Sequence, residues 1–345
     1  GRKVTMYASL LMMGISTSII GILPPAASAG VGVVIVLQLM RLAQCFGRGG
    51  TWGGGILMAY ENVPENKRSF YAAIPQIGLP IGFGLSSILI AVPTLLLPED
   101  IFFTWGWRIP FLAAIILTLI VIRQKGEMME TEDYKKAQAK LEAEEAEGKK
   151  HKVGFIPMVK GYWKTLLLGC GTRWVDGTFY NIFIVWILSY CINWLGMPLI
   201  QTYIITIIAC IFKIPFTLFG GWCAQKLGNT RTFVIGALAS AVLSIPTLKV
   251  IELSKGNLAI TIIGIVLGWS IAYNLIWAVI SSLWSSYFET EVRYSGISFV
   301  YHVPSFLVAG MVPTICTLLI NYGKGDTIYV GIYSTVVALI SAACA

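Results

Sequence analysis

The sequence predicts an all-α protein that crosses a lipid bilayer about ten times, and three properties of the chain support this prediction. Hydrophobic residues make up 56% of the 345 residues and charged residues only 12%, about half the charged fraction of a soluble domain. Eight of the 17 acidic residues lie between residues 124 and 152. Apolar runs of about 20 residues, enough to span a bilayer, recur along the chain. An ordinary soluble enzyme, a disordered protein and a disulfide scaffold are therefore excluded.

Ten apolar runs meet this length criterion, and one long polar connection separates the first four from the last six. The predicted spans cover residues 4–23, 30–59, 69–97, 104–123, 163–194, 198–222, 232–252, 258–286, 295–321 and 327–345. We predict an N-terminal half at residues 1–123, a cytoplasmic central loop at 124–162 and a C-terminal half at 163–345. Within the loop, residues 127–147 are rich in Ala, Glu and Lys, which predicts a solvated helix that is either a spacer or a partner-binding helix.

Lys and Arg residues orient the predicted spans, because cytoplasmic connections of membrane proteins carry an excess of them. The richer set of connections carries Arg2, Lys3, Lys67, Arg68, Lys226, Arg231 and Arg293, together with the basic ends of the central loop. The opposite set carries Arg108, Lys249, Lys255 and Lys324. The richer set is therefore placed in the cytoplasm. The net charge of +8 is spread without a basic stripe, which argues against nucleic acid as a partner.

The sequence gives no indication of a cofactor, a metal site or a catalytic centre. The seven cysteines form no C-x-x-C pair and lie in or beside apolar runs, where a cysteine is typically a small buried hydrophobe. The two histidines, His151 and His302, are too few for a histidine-based metal site. The predicted spans also contain no nucleophile–base pair. We therefore expect a transporter, or else a membrane-embedded sensor, rather than an enzyme.

The division into four and six spans is itself informative. Secondary transporters are commonly built from two repeated halves, so the first half is short by two helices. The chain begins at Gly1-Arg2-Lys3 rather than at a methionine. We therefore expect that the first two helices of the fold are missing from this chain.

Several short motifs resemble those of a known family. Gly1-Arg2-Lys3 looks like the end of the G-x-x-x-D-R-x-G-R-K loop of the major facilitator superfamily, and Arg41-Leu-Ala-Gln44 looks like its R-x-x-Q-G motif. The stretch Gly221–Gly228 looks like the matching loop of the second half, with Gln225 where an Asp is usual. Three further stretches resemble the metabolite:proton symporter branch of the family. These are residues 61–78, 105–112 and 293–298.

The resemblance implies a major facilitator fold, in which two halves rock about a substrate site near the membrane midplane. Members of this branch carry osmolytes such as betaine and proline, or organic acids such as citrate, 2-oxoglutarate and shikimate, together with protons. The resemblance also implies a multi-pass protein of the plasma membrane, and we expect a monomer. One departure from the family is Thr51, which replaces the acidic residue of a G-G-E-W-G-G stretch.

Polar residues recur on one face of the predicted span 30–59. Arg41, Gln44, Arg48 and Thr51 are separated by three, four and three residues, a spacing that places them on one side of a helix. Ionisable groups inside a membrane are costly and usually functional. Two guanidinium groups on one face can hold an anion between them, so we predict that Arg41, Gln44 and Arg48 bind substrate. The alternative is that one Arg reaches the membrane surface or pairs with a backbone carbonyl.

A second polar face lies on the predicted span 163–194, where Arg173, Asp176 and Tyr180 are three and four residues apart. Asp176 is the one acidic residue clearly inside a predicted span, which makes it the leading candidate for a proton carrier. The alternative is a static ion pair with Arg173. His302 is a second candidate for proton coupling, although such a histidine is more often a packing residue.

Further candidates for substrate binding are Arg173, Tyr180, Lys213 and, on the span 258–286, Asn274 and Trp277 beside Tyr273. The alternative for Lys213 is a structural partner, and the alternative for the face on span 258–286 is packing. The embedded cations Arg41, Arg48, Arg173 and Lys213 outnumber the single carboxylate Asp176. This surplus favours an anionic substrate, and we predict symport of a small organic acid with protons. The alternative substrate is a zwitterionic osmolyte, whose cationic group aromatic rings such as Trp277 can bind.

Charged residues at the ends of spans are candidates for gating contacts. They are Glu61, Arg68, Arg108 and Arg293. Glu61 and Arg68 are expected at one cytoplasmic end, where they form either a gate ion pair or a simple helix-end contact. Gly78 and Gly82 have the small-x-x-x-small spacing of closely packed membrane helices, so we expect a neighbouring helix against them.

Overall fold

The computed structural model describes residues 2–123, residue 139 and residues 155–345, and the regular structure within these ranges is helical. Nine helices of the described chain are long and apolar enough to cross a membrane, and a tenth is shorter. They are α1 (Val4–Ile22), α2 (Val31–Glu61), α3 (Glu65–Leu96), α4 (Gly106–Arg123), α5 (Pro157–Asn193), α6 (Leu199–Leu227), α7 (Asn229–Leu253), α8 (Leu258–Tyr287), α9 (Val292–Tyr322) and α10 (Ile328–Ala343). The predicted all-α membrane protein with about ten spans is confirmed.

Several of these helices change their winding inside the membrane. Three-residue 3₁₀ turns begin α3 at Glu65–Lys67 and interrupt it at Pro75–Ile77. Two π-helical segments interrupt α5 at Ile182–Trp186 and α8 at Val266–Ala272. Such π segments occur frequently at functional sites, and both of these lie in the helices that carry the predicted polar residues of the C-terminal half.

The N-terminal half, here residues 2–123, packs α1 against α2 and α4. A glycine makes the first contact close: a methyl group added at Gly47 would come within 2.7 Å of the Ser9 carbonyl oxygen. Among the described residues, nothing lies within 4 Å of a methyl group added at Gly78 or Gly82, so the close packing expected at these two positions is wrong. These two glycines face open space, so their spacing alone did not identify an interface.

The C-terminal half, here residues 155–345, is organised around α8, which packs against α6 and α7. Close approach to α6 depends on Gly220, where an added methyl group would come within 2.6 Å of the Ala278 Cβ. Gly228 alone connects α6 to α7 with φ of +92°, a conformation that glycine adopts without steric cost. Helix α6 also packs against α3 of the N-terminal half.

The predicted cytoplasmic helix within residues 127–147 lies outside the described residues, apart from Ala139, which is helical. The helix Phe155–Asn181 is kinked at Tyr162, where φ is −114° and ψ is 20°. The predicted span begins at residue 163, directly after this kink.

Candidate functional site

A buried ionic hub joins three helices of the C-terminal half. Asp176 on α5 is 1% exposed, and its two carboxylate oxygens accept hydrogen bonds from Arg173 and from the Tyr273 hydroxyl on α8. Arg173 also donates to Ser305 Oγ on α9 at 3.1 Å and lies 4.4 Å from the Tyr301 ring centroid. The pairing of Arg173 and Asp176 neutralises both charges, and the hub ties α5, α8 and α9 together.

Lys213 on α6 is a buried cation without a hydrogen-bond acceptor. Its residue is 0% exposed, and its Nζ atom has no hydrogen-bond partner among the described residues. Three rings surround Nζ instead: the centroids of Tyr273, Trp269 and Trp277 lie at 4.4, 4.5 and 5.9 Å. Aromatic faces attract a desolvated ammonium group by about 2 kcal/mol or more, so this aromatic cage partly replaces the lost water.

The backbone at Lys213 is fixed by neighbouring side chains. Asn274 Nδ2 and Thr217 Oγ1 each donate a hydrogen bond to the Lys213 carbonyl oxygen at 2.8 Å. Asn274 is the second residue after the π segment of α8 and begins the regular α-helical part that follows. The predicted residue Asn274 therefore positions the Lys213 backbone.

The polar face predicted on α2 is divided between two neighbours. Arg41 donates to Gln44 Oε1 at 3.2 Å, and Gln44 donates to Thr17 Oγ1 on α1 at 2.6 Å. Thr51 contacts Met13 of α1. Arg48 is exposed and belongs to a different environment. Of the four residues, Gln44 and Thr51 face α1 rather than the other half of the protein.

Arg48 lies within electrostatic range of Tyr180 on α5 and of His302 on α9. The His302 ring lies beside Gly49, where an added methyl group would be 3.6 Å from Nε2. The Tyr180 ring meets the Phe83 ring of α3 edge-on at 5.9 Å. The structure therefore brings together the predicted residues Arg48, Tyr180 and His302 between the halves.

Several contacts join the two halves near their cytoplasmic ends. Arg293 Nη1 on α9 binds Glu61 Oε1 on α2 at 3.0 Å, and the Glu61 side chain is 0% exposed. Ser69 donates to Asn229 Oδ1 at 2.8 Å, and Gln225 accepts from the Phe70 amide at 3.3 Å. Gln225, which replaces the usual Asp, therefore bonds directly to the other half. These contacts join the two halves at the helix ends that the sequence assigns to the cytoplasm.

A deeper contact between the halves escaped the sequence analysis. Trp277 Nε1 donates to the Gln76 carbonyl oxygen at 3.1 Å, and Gln76 Nε2 donates to the Trp277 carbonyl oxygen at 3.2 Å. Gln76 is 2% exposed and Trp277 is 3% exposed. A polar Gln within an apolar predicted span was the available signal, because such a side chain needs a partner when buried.

The remaining gating candidates make local contacts. Arg68 pairs with Glu65 of its own helix at 3.3 Å. Arg108 donates to the Leu23 carbonyl oxygen at 2.8 Å and lies 4.5 Å from the Trp107 ring centroid. These contacts of Arg108 lie within the N-terminal half, so they link the ends of α1 and α4 and favour a structural role over the predicted gating role.

Comparison with known proteins identifies the family. A sequence profile described as Major Facilitator Superfamily matches residues 1–313. The chain belongs to the major facilitator superfamily. The inner membrane metabolite transport protein YhjE of Escherichia coli is 32% identical over 98% of this chain and 75% of its own length. The shikimate transporter of the same organism is 30% identical over 99% of this chain and 76% of its own length.

Two further transporters are similar to this chain. The proline/betaine transporter of E. coli is 28% identical over 93% of this chain and 64% of its own length. The proton:xylose symporter XylE, solved with 6-bromo-6-deoxy-D-glucose, superimposes with a TM-score of 0.74 at 17% identity over 98% of this chain and 79% of its own. The predicted family and its fold are confirmed, and the protein is a multi-pass secondary transporter rather than an enzyme.

Proposed function

We propose that this transporter carries a small organic acid across the plasma membrane together with protons, by alternating access between the halves 1–123 and 163–345. The observation that supports an anionic substrate is the charge left over in the site. Arg173 and Asp176 neutralise each other, whereas the Lys213 ammonium lies among three aromatic rings and has no hydrogen-bond acceptor among the described residues. Arg48, next to Gly49 at the contact with His302, adds a second positive charge. A carboxylate entering between the halves would balance this surplus.

The ionic hub supports Asp176 as the proton carrier in this proposal. The Asp176 carboxylate is the hydrogen-bond partner of both Arg173 and Tyr273, so a change in its charge alters the bonding of both side chains. Protonation of Asp176 would remove the partner of Arg173 and leave that guanidinium available to a substrate carboxylate. The proton and the anion would then enter the site together. His302, beside Arg48, is the second proton-carrier candidate.

The experiment is uptake of radiolabelled shikimate into proteoliposomes, with and without a pH gradient. We expect accumulation only when the gradient drives protons in the direction of uptake. Asp176→Asn should abolish this accumulation while leaving exchange of internal for external shikimate. The matched control is Asn321→Asp, which places a carboxylate near the end of α9, away from the hub. Gradient-driven accumulation by Asp176→Asn would transfer the role to His302.

A zwitterionic osmolyte is the second candidate substrate, favoured by relatives that include a proline/betaine transporter. The Trp277 ring, proposed for the cationic group of such a substrate, already faces the Lys213 ammonium. Excess unlabelled betaine should therefore compete poorly with shikimate, whereas other small carboxylates should compete well. Strong competition by betaine and none by carboxylates would reverse this ranking.

A further inference from the structure

Trp277 contacts both Gln76 of the N-terminal half and the Lys213 ammonium. Its indole N–H and its carbonyl oxygen both bond to Gln76 of the other half. Its ring faces the Lys213 ammonium. Trp277 is therefore the side chain through which a change at Lys213 can reach the contact between the halves.

The contact between Gln76 and Trp277 lies deep in the cytoplasmic pathway. Trp277 is ten residues from the cytoplasmic end of α8 at Tyr287, which corresponds to about 15 Å along a helix. That depth is about half the thickness of the hydrocarbon core. The pair therefore lies near the membrane midplane, inward of the bridge between Glu61 and Arg293.

The surroundings of this pair favour a firm contact. Both residues are almost fully buried, and hydrogen bonds away from water are stronger than those at a surface. An indole held by its N–H at one edge keeps its ring in one orientation. The caged ammonium of Lys213 then stabilises that orientation through the ring face.

We propose that Gln76 and Trp277 form a clasp that keeps the cytoplasmic side closed at the midplane, and that Lys213 holds the clasp shut through the Trp277 ring. An anion that draws the ammonium out of the aromatic cage releases Trp277 and loosens the clasp. This last step rests on the proposed anionic substrate, whereas the clasp itself does not.

A cysteine at position 281 reports on opening of the clasp. Ser281 is 0% exposed, and its hydroxyl donates to the Ala72 carbonyl oxygen of the other half at 3.1 Å. It lies one helical turn from Trp277 toward the cytoplasm. The measurement is the rate at which Ser281→Cys reacts with a membrane-impermeant maleimide in inside-out vesicles. The parent protein without this change gives the background of the native cysteines.

Variants of the clasp should raise this rate without any ligand. Gln76→Leu removes one hydrogen bond, and we expect labelling to rise about fivefold, the population change for the loss of one such bond. Trp277→Phe should act similarly, because it keeps a ring but removes the donor. The matched controls are Gln201→Leu near the far end of α6 and Trp222→Phe, whose side chain is exposed. Both controls should label at the parent rate.

Lys213→Met tests the role of the ammonium, and removal of an unpaired buried charge does not endanger folding. We expect labelling to rise, and the double variant with Gln76→Leu to label no faster than the faster single variant. Unchanged labelling in Gln76→Leu would overturn the clasp. Effects of Lys213→Met and Gln76→Leu that multiply independently would overturn the link between them.

Labelling in the presence of shikimate tests the role of Lys213 separately from the choice of substrate. Shikimate should raise labelling of the protein with Lys213 and leave that of Lys213→Met unchanged. An equal rise in both proteins overturns the role of Lys213 while the anionic substrate stands. A failure of shikimate and other small carboxylates to bind contradicts the proposed function, and the ligand-free rates still decide whether the clasp exists.

Discussion

The cations predicted to bind substrate are buried in the C-terminal half of this transporter and exposed in the N-terminal half. In the C-terminal half, Arg173, Asp176 and Lys213 are at most 6% exposed, and each is enclosed by partners or rings. In the N-terminal half, Arg41 and Arg48 on α2 are exposed. A buried charge that loses its partner is strongly destabilising, whereas an exposed charge is available to a ligand. Charge changes at Arg173 or Asp176 should therefore alter stability, whereas changes at Arg41 or Arg48 should alter substrate binding.

The largest effect should come from breaking the ionic hub. Arg173→Met leaves Asp176 buried without its cationic partner, so we expect a loss of about 3–5 kcal/mol in the free energy of unfolding. The measurement is unfolding of the purified protein in mixed detergent micelles. The double variant with Asp176→Asn removes both charges and keeps an acceptor for Tyr273, so it should regain most of the loss. A double variant as unstable as the single one would show that the charge pairing is not the cause.

The next effect concerns substrate affinity rather than stability. Arg48→Gln should raise the KM for a transported carboxylate about tenfold to a hundredfold, the range for losing a hydrogen bond to a charged group. Its unfolding free energy should change by no more than about 0.5 kcal/mol, as for other exposed positions. Arg123→Gln, at an exposed end of α4, is the matched control and should leave KM unchanged. An unaltered KM in Arg48→Gln would remove this residue from the site.

The smallest effect should be a pH dependence of folding stability, caused by a carboxylate outside the membrane. Asp326 lies in the connection between α9 and α10, and a hydrogen bond from Lys249 at 2.7 Å holds the pKa of its carboxyl below the usual value. A lowered pKa in the folded state means that the carboxylate stabilises the fold above the usual value of 3.8. That contribution is lost as the pH falls through the lowered pKa.

The Tm of the parent protein should therefore exceed that of Asp326→Asn at neutral pH, and the difference should shrink on acidification below the usual aspartate pKa. Asp100→Asn, which alters an exposed carboxylate of the N-terminal half, should show no such pH-dependent difference. If the difference in Tm between the parent protein and Asp326→Asn stays constant from neutral to acid pH, the ionised carboxylate is not its cause.

The sequence was sufficient for the spans and for groups within one helix, because both depend on local spacing. Arg173 and Asp176 were predicted to lie on one face, and they form an ion pair within one helical turn. The third member of the hub is 97 residues further along the chain. The rotation of α8 that brings Tyr273 to Asp176 depends on packing, which spacing alone does not specify.

Because spacing within one helix does not specify its neighbours, the sequence did not predict the clasp. For the same reason it did not predict which helix the polar face of α2 meets. Gln76 and Trp277 are separated by 201 residues, and neither has a charge that would mark it in an apolar span. The spacing of Arg41, Gln44 and Thr51 correctly predicted a shared face. It gave no information about which helix this face meets, and the structure directs Gln44 and Thr51 toward α1.

The rotational phase of α8 depends on how its π segment, residues Val266–Ala272, is wound. A π turn accommodates about one residue more than an α turn, so rewinding the same residues as regular α-helix, without changing their number, would add the rotation of about one residue. The cytoplasmic part of α8 would then be turned by about 100° relative to the other end. Tyr273 would leave Asp176 and Trp277 would leave Gln76 in one step. The phase of a single helix thus coordinates both contacts.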